Sequence, residues 1–262
     1  MRVLRSELVK LRRRGMYIGL ALMVGLGGGV SPLLSIVAAS RIAASKDRGP
    51  RVRLILTTAS LRAPDGLGKL VSGGATLVGV VALVLFAMSF ASEFSHGTLR
   101  NLLVREPHRL RLFFGKLAGM AVFVSIGVIA AAVLSVIVSY AMAPTHNIAT
   151  SAWTFAPVGA ALGRVLLTTL GWGVLATTLA VIVRSPAPAI GVGVVYVLLV
   201  DPIIVAAWST GGRWLPGQLL EAVAQGGTTQ VSLLRASIVV AVYCAVLLAA
   251  GAGIFARRDV AS

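Results

Sequence analysis

The chain has 262 residues, of which 57% are hydrophobic and only 12% charged, and its mean hydropathy is +0.93. A soluble domain carries about a quarter charged residues, so this composition excludes a soluble enzyme. The 24 Lys and Arg outnumber the 8 Asp and Glu. They crowd into a few stretches between long neutral ones, which is typical of a polytopic membrane protein and not of a nucleic-acid-binding domain.

The first predicted element is an amphipathic helix at residues 1–15. Leu4, Leu8 and Leu11 follow the spacing i, i+4, i+7, and six basic residues occupy most of the remaining surface. A helix of this kind lies in the headgroup layer and contacts membrane lipids. A plain positively charged anchor remains the alternative interpretation of this segment.

Six apolar stretches are long enough to cross a bilayer, which takes about 20 mostly apolar residues. The sequence therefore predicts an all-α polytopic membrane protein with a single transmembrane domain over residues 1–262. The predicted spans are 16–39, 70–91, 117–141, 158–182, 189–207 and 232–256.

The distribution of Lys and Arg predicts that both termini are cytoplasmic, and we expect the protein in the plasma membrane. With this orientation the inner segments carry 14 basic residues and the outer loops 8, as positive-inside topology requires. The loop 40–69 conflicts with the rule because it carries seven of those eight. It is still placed outside, since the N-terminal cluster and the basic loop 92–116 both require the inside.

The connection 92–116 contains a predicted short amphipathic helix. Thr98 is a suitable N-cap, Leu99, Leu102 and Leu103 follow the spacing i, i+3, i+4, and Pro107 ends the helix. Such a helix at the inner surface is a shape that a cytoplasmic partner can bind. An ordinary membrane-surface loop remains the alternative.

Three charges fall inside predicted spans, Arg164, Asp201 and Arg235, where each costs about 2.5–3.5 kcal/mol at mid-helix, and the first two are singled out as a possible site. Arg164 and Asp201 lie at a similar depth, roughly 10 Å below the outer surface at about 1.5 Å per residue. An ion pair between them is the favoured interpretation, and a polar point on a substrate path is the alternative. Pro202 is expected to interrupt span five beside Asp201.

The stretch 208–231 predicts a short apolar-faced helix, Pro216 to Ala224, that dips into the outer interface. Trp208 and Trp214 are its expected interfacial anchors. An ordinary loop is the alternative interpretation.

No residues with a catalytic or metal-binding pattern are found in the sequence. The three histidines lie outside the spans, Cys244 is the single cysteine, and no phosphate-binding G-x-x-x-x-G-K-[ST] motif occurs. We therefore expect no enzyme activity, no bound cofactor and no metal in this chain.

Two motifs and the layout of the spans resemble the transmembrane permeases of ABC-2-type ABC transporters. Glu7-Leu8 and Lys10-Leu11 before three arginines are similar to the N-terminal signature of that family, and Leu215-Pro216 has its usual place between the last two spans. The second motif runs along the connection between spans two and three. It comprises Glu93, Gly97, Thr98, Arg100, Leu102, Leu103, Pro107, Arg109 and Lys116.

The resemblance implies a function and two partners. In that family the connection between spans two and three carries a coupling helix that docks into a separate nucleotide-binding ATPase, which holds ATP and Mg. Two permeases, identical or different, form the pathway. By resemblance the ATPase-coupling residues here are Glu93, Gly97, Thr98, Leu99, Leu102, Leu103 and Pro107.

The resulting hypothesis is the permease subunit of an ATP-driven transporter that exports a hydrophobic or amphipathic substrate. A non-transporting membrane anchor or sensor that recruits a cytoplasmic protein through residues 92–116 is the alternative.

Overall fold

The computed structural model describes residues 14–44, 57–95, 108–208 and 210–257. Their α-helices are α1 (Arg14–Met23), α2 (Ser31–Ala44), α3 (Thr58–Arg62), α4 (Gly66–Gly73), α5 (Ala75–Ser95), α6 (Arg109–Met142), α7 (Ala156–Val183), α8 (Pro186–Val195), α9 (Asp201–Ala207), α10 (Pro216–Gln225) and α11 (Leu233–Arg257). Two π-helical segments, Val24–Val30 and Tyr196–Val200, join α1 to α2 and α8 to α9. No extended strand occurs within these ranges.

Six helical stretches are long and apolar enough to cross a membrane, which confirms the predicted all-α, six-span fold. Spans one to six are Arg14–Arg41, Gly66–Glu93, Arg109–Met142, Ala156–Val183, Pro186–Ala207 and Leu233–Ala256. Each predicted window lies within the observed span to within one residue. The two remaining elements of the fold prediction, the interfacial helix 1–15 and the coupling helix after Thr98, fall almost entirely outside the described residues.

Six crossings return the chain to the side on which it began. The end of the bundle that carries Arg14 and Arg257 is called the terminal face, and the opposite end is called the loop face. The terminal face also carries the connections between spans two and three and between spans four and five, whereas α3 and the start of α4 lie at the loop face.

Spans two and four pack against each other at the centre of the bundle. Trp172 of span four lies over Gly79 of span two, and Phe86 of span two lies over Gly173 of span four. Each large ring therefore fills the space where the opposite helix has no side chain. The rings are buried, and this reciprocal fit brings the two helix axes close together.

Span five is interrupted where the sequence predicts it. Pro202 has no N–H, and its ring disturbs the preceding helical turn. The chain responds with the π-helical segment Tyr196–Val200, in which the N–H of Asp201 bonds to the carbonyl of Tyr196, five residues back. The wider turn directs the Asp201 side chain into the bundle, where it is 5% exposed.

Candidate functional site

The connection between spans two and three begins and ends at a buried ion pair. Glu93 is the last residue of span two, and Lys116 lies in the second turn of α6. Lys116 Nζ lies 2.6 Å from Glu93 Oε1, with the two side chains only 5% and 15% exposed. The Lys116 ammonium also lies 5.2 Å from the centroid of the Phe90 ring.

Aromatic packing extends this junction to span six. The Phe113 ring contacts Phe90 at a centroid distance of 5.7 Å and Phe255 at 5.6 Å. Arg109 Nη1 donates a hydrogen bond of 3.3 Å to the carbonyl of Ala256. The two ends of the connection are therefore fixed to each other and to the end of the last span. We call Phe90, Glu93, Phe113, Lys116 and Phe255 the terminal junction.

Of the predicted coupling residues, Glu93 alone lies within the described ranges. Its carboxylate bonds to Lys116 inside the chain, so at least one of its oxygens is directed towards the bundle. The other six predicted residues, Gly97, Thr98, Leu99, Leu102, Leu103 and Pro107, lie in 96–107, outside the described residues.

The short helix α10 is present where the sequence predicts a helix, but it lies deeper than an interfacial helix would. Leu219, Leu220 and Val223 are buried. The Thr168 hydroxyl of span four donates to the carbonyl of Leu220 at 3.0 Å, and Gly171 leaves space for the Leu220 side chain. Thr168 lies roughly 18 Å along span four from Ala156, at about 1.5 Å per residue. The prediction of an outer-interface location was therefore wrong, because spans two, four and six surround the helix.

Asp201 lies at the N-terminal end of α10. Gln218 Nε2 donates to Asp201 Oδ2 at 2.6 Å, and the Tyr196 hydroxyl lies 3.3 Å from Oδ1. A Cβ added at Gly217 would lie 2.8 Å from the Asp201 carboxyl carbon. The carboxylate therefore rests against the first turn of α10, where the helix dipole favours a negative charge.

Arg164 lies at the other end of the same helix. The chain leaves α10 through Gly226, whose φ is +83°, and a Cβ there would lie 2.5 Å from Arg164 Nη1. The C-terminal end of a helix favours a cation in the same way that the N-terminal end favours an anion. The Nε atom of Arg164 is buried and has no hydrogen-bond partner.

Arg164 and Asp201 do not form the predicted ion pair. Asp201 bonds to Gln218 and Tyr196, and the ion pairs found among the described residues involve neither Asp201 nor Arg164. The two charges instead lie at opposite ends of α10, a helix of 10 residues and therefore roughly 15 Å long. The prediction compared only the depths of the two residues along the membrane normal. Equal depth does not determine how far apart two groups lie in the membrane plane.

Glu221, in the middle of α10, is a further charge within the bundle that the sequence interpretation missed. It accepts hydrogen bonds from the Thr76 hydroxyl of span two and from the Gln225 amide. Gln218, Glu221 and Gln225 follow the spacing i, i+3, i+7 and so share one face of α10. The spacing of these three residues can be read from the sequence. On a helix at the membrane interface, however, a polar face exposed to water is ordinary and does not indicate a site.

We call this set the α10 polar cluster. Its members are Thr76, Arg164, Tyr196, Asp201, Gln218, Glu221 and Gln225. Across the described ranges, no group of three or more His, Cys, Asp or Glu side chains is arranged to hold a metal ion. The cluster is therefore a set of carboxylates, amides and hydroxyls suited to binding a ligand by charge and hydrogen bonds.

Comparison with known proteins assigns the chain to a family without assigning an activity. No curated protein matches the sequence. A family model described as "Protein of unknown function (DUF2705)" matches residues 71–261, well over half of the chain and including spans three to six and most of span two. The chain belongs to the DUF2705 family.

Proposed function

We propose that this multi-pass membrane protein is the permease subunit of an ATP-driven transporter and exports a hydrophobic or amphipathic substrate. The proposal extends the resemblance to ABC-2-type permeases. The ATP and Mg are held by a separate nucleotide-binding ATPase, and a second permease, identical or different, completes the pathway. The chain lies in the plasma membrane with both termini cytoplasmic.

The terminal junction is the observation that carries this proposal. A coupling segment can drive a transport cycle only if it is attached rigidly to the spans. A movement of the ATPase then moves the spans, whereas a loose attachment would only bend the connection between them. Here the Glu93–Lys116 ion pair and the Phe90–Phe113–Phe255 contacts tie the ends of the segment to spans two, three and six. A partner that moves residues 94–108 therefore acts on three spans at once.

The α10 polar cluster favours transport over the alternative of a membrane anchor or sensor. Each charge within a span costs about 2.5–3.5 kcal/mol on insertion scales. An anchor gains nothing from Glu221, a carboxylate held within the bundle and bonded to Thr76 and Gln225. A transporter has a use for such a group on its substrate path.

Co-purification of the ATPase tests the proposal. The tagged full-length chain is purified from its native membranes in mild detergent, and associated Mg-dependent ATP hydrolysis is measured. Replacement of Leu102 and Leu103 by Asp should reduce the associated ATPase at least tenfold, because these side chains form the apolar face of the predicted coupling helix. The amount of the protein in the membrane should not change.

The matched control carries the same two charges on the opposite face of that helix. At about 100° per residue, Asn101 and Val104 point away from Leu102 and Leu103, so N101D with V104D should retain the ATPase. Equal co-purification in both double variants would remove the coupling assignment. Recovery of a partner that has no ATPase activity with the wild-type chain would support the anchor instead.

A further inference from the structure

Glu221 is the one charge of the α10 polar cluster that the fold leaves without a compensating group. Asp201 lies at the N-terminal end of α10 and Arg164 at its C-terminal end, so the helix dipole stabilises both of them. Glu221 lies between the two ends, where the dipole has little effect. Its hydrogen-bond donors, Thr76 and Gln225, are neutral, and no Lys or Arg of the described residues forms an ion pair with it.

The position of Glu221 makes its charge effective. Thr76, its partner, lies roughly 15 Å along span two from Gly66, at about 1.5 Å per residue. Water is scarce at that depth, so a charge there attracts an opposite charge more strongly than it would at the surface. Glu221, Thr76 and Gln225 are all partly exposed, so a ligand can reach them.

The hydrogen bonds orient the carboxylate without saturating it. An ionised carboxylate has about four acceptor positions on its two oxygens. Thr76 takes one position on Oε2 and Gln225 takes one on Oε1. Two positions remain for a ligand, and the neutral donors hold both oxygens in place.

We propose that Glu221 binds the positively charged group of a hydrophobic cation, and that such cations are the substrate class of the exporter. This inference rests on the proposed function for its biological meaning. Calcium is a poor alternative because it needs six to eight oxygen ligands. The carboxylate of Glu221 offers only two oxygens, and both already accept hydrogen bonds from Thr76 and Gln225. An organic cation needs only the negative charge and an apolar environment, and Thr76, the partner of Glu221, lies on the apolar span two.

Binding of two ions of matched size and opposite charge tests the proposal. The purified full-length chain is placed in nanodiscs of neutral lipid, and binding of tetraphenylphosphonium and tetraphenylborate is measured by equilibrium dialysis. The wild-type chain should bind the phosphonium more tightly than the borate. Glu221→Gln, which keeps the shape and removes the charge, should weaken phosphonium binding at least tenfold and leave borate binding unchanged.

Asp65→Asn is the matched control, because it also removes one carboxylate charge but at an exposed loop-face position. It should bind the phosphonium as the wild-type chain does. Equal phosphonium binding by Glu221→Gln and Asp65→Asn would overturn the assignment, and so would equal affinity of the wild-type chain for both ions.

A second measurement uses the wild-type chain and does not depend on how the variant folds. Dicyclohexylcarbodiimide modifies carboxyl groups in apolar surroundings, and mass spectrometry locates the product. Tetraphenylphosphonium should reduce labelling of Glu221, and tetraphenylborate should not; labelling unaffected by either ion would contradict the site. None of these measurements needs the ATPase, so failure of cation binding and failure of ATPase co-purification are separate results.

Discussion

Two ion pairs in the described residues differ in how deeply they are buried. Glu93 and Lys116 are 15% and 5% exposed, whereas Asp65 and Lys69, one turn apart on the same stretch of helix, are 51% and 38% exposed. A charge in a buried pair has lost its water, so its partner is its main source of stabilisation. A charge in an exposed pair is solvated and gains little from its partner.

Removing one member of the buried pair should therefore be far more damaging. We expect Lys116→Met to lower the free energy of unfolding by about 3 kcal/mol, because Glu93 then loses the ammonium that pairs with it in a largely buried site. Lys69→Met should cost less than about 1 kcal/mol. Thermal unfolding in detergent compares the two variants.

The double variant Glu93→Gln with Lys116→Met provides the internal check. It removes both charges of the pair together, so it should be more stable than Lys116→Met alone. If the double variant is as unstable as the sum of the two single variants, the two side chains do not act as a pair.

Gly226 is the residue whose backbone and surroundings both exclude a side chain. Its φ of +83° is unfavourable for L-residues, and a Cβ would lie 2.5 Å from Arg164 Nη1. We expect Gly226→Ala to lower the melting temperature, with a backbone cost of about 1–2 kcal/mol. Gly163→Ala, in the interior of α7 with nothing within 4 Å of the added Cβ, should be neutral or stabilising by up to about 1 kcal/mol. Equal effects of the two substitutions would contradict the tight C-terminal cap.

At the scale of elements, α10 organises the polar interior of the bundle. Its two ends lie against Asp201 and Arg164, and its middle carries Glu221. Charges matched to the two ends of a helix are worth up to about 2 kcal/mol each in partly buried geometry. If Arg164 and Asp201 each interact with an end of α10, exchanging the two charges should reduce the amount of folded protein. If they formed a direct ion pair, the exchange should restore it.

Exchanging the two charges should be harmful at both ends of α10. In the double variant Arg164→Asp with Asp201→Arg, a cation would face the N-terminal end of α10 and an anion the C-terminal end. We expect less folded protein from the exchange than from either single variant, measured by size-exclusion chromatography of a fluorescent fusion. Arg213→Asp, a reversal at an exposed position, should have little effect. Recovery of folded protein in the exchanged chain would show that Arg164 and Asp201 interact directly.

The spans were predictable from sequence and the location of α10 was not, for a physical reason. Hydropathy is a local property, so a window of apolar residues identifies a span such as Ala156–Val183 without knowledge of its neighbours. Whether Pro216–Gln225 lies at the interface or inside the bundle depends on which spans surround it, and the sequence of the helix does not contain that information.

The candidate site shows the same limit at the level of single residues. Depth along the membrane normal could be counted for Arg164 and Asp201, but their lateral positions could not, and the predicted ion pair failed for that reason. The Glu93–Lys116 pair joins two ends of one connection. The sequence interpretation treated Lys116 as one of the basic residues of the inner loop. It therefore did not predict that Lys116 is buried and paired with Glu93.

Over the whole molecule, burial separates the spans into a centre and a periphery. Spans two and four are the most buried, and spans five and six the least. Leu198, Ile203, Ile238 and Val246 of the outer spans are exposed, as side chains that face lipid or a second permease must be. The α10 polar cluster includes Thr76 and Arg164 of the two central spans and Tyr196 and Asp201 of span five.

The orientation of this bundle in the membrane is the last prediction, and it tests the conflict raised by the basic loop 40–69. We place the loop face outside, because the terminal face carries the larger share of Lys and Arg in the sequence. Ala59 at the loop face and Ala187 at the terminal face are both exposed alanines, so each is replaced by Cys in a Cys244→Ala background. An impermeant thiol reagent should label Ala59→Cys in intact cells and Ala187→Cys only after lysis. The reverse pattern would place the coupling connection outside the cell, where no ATP is available, and would remove the proposed function together with the topology.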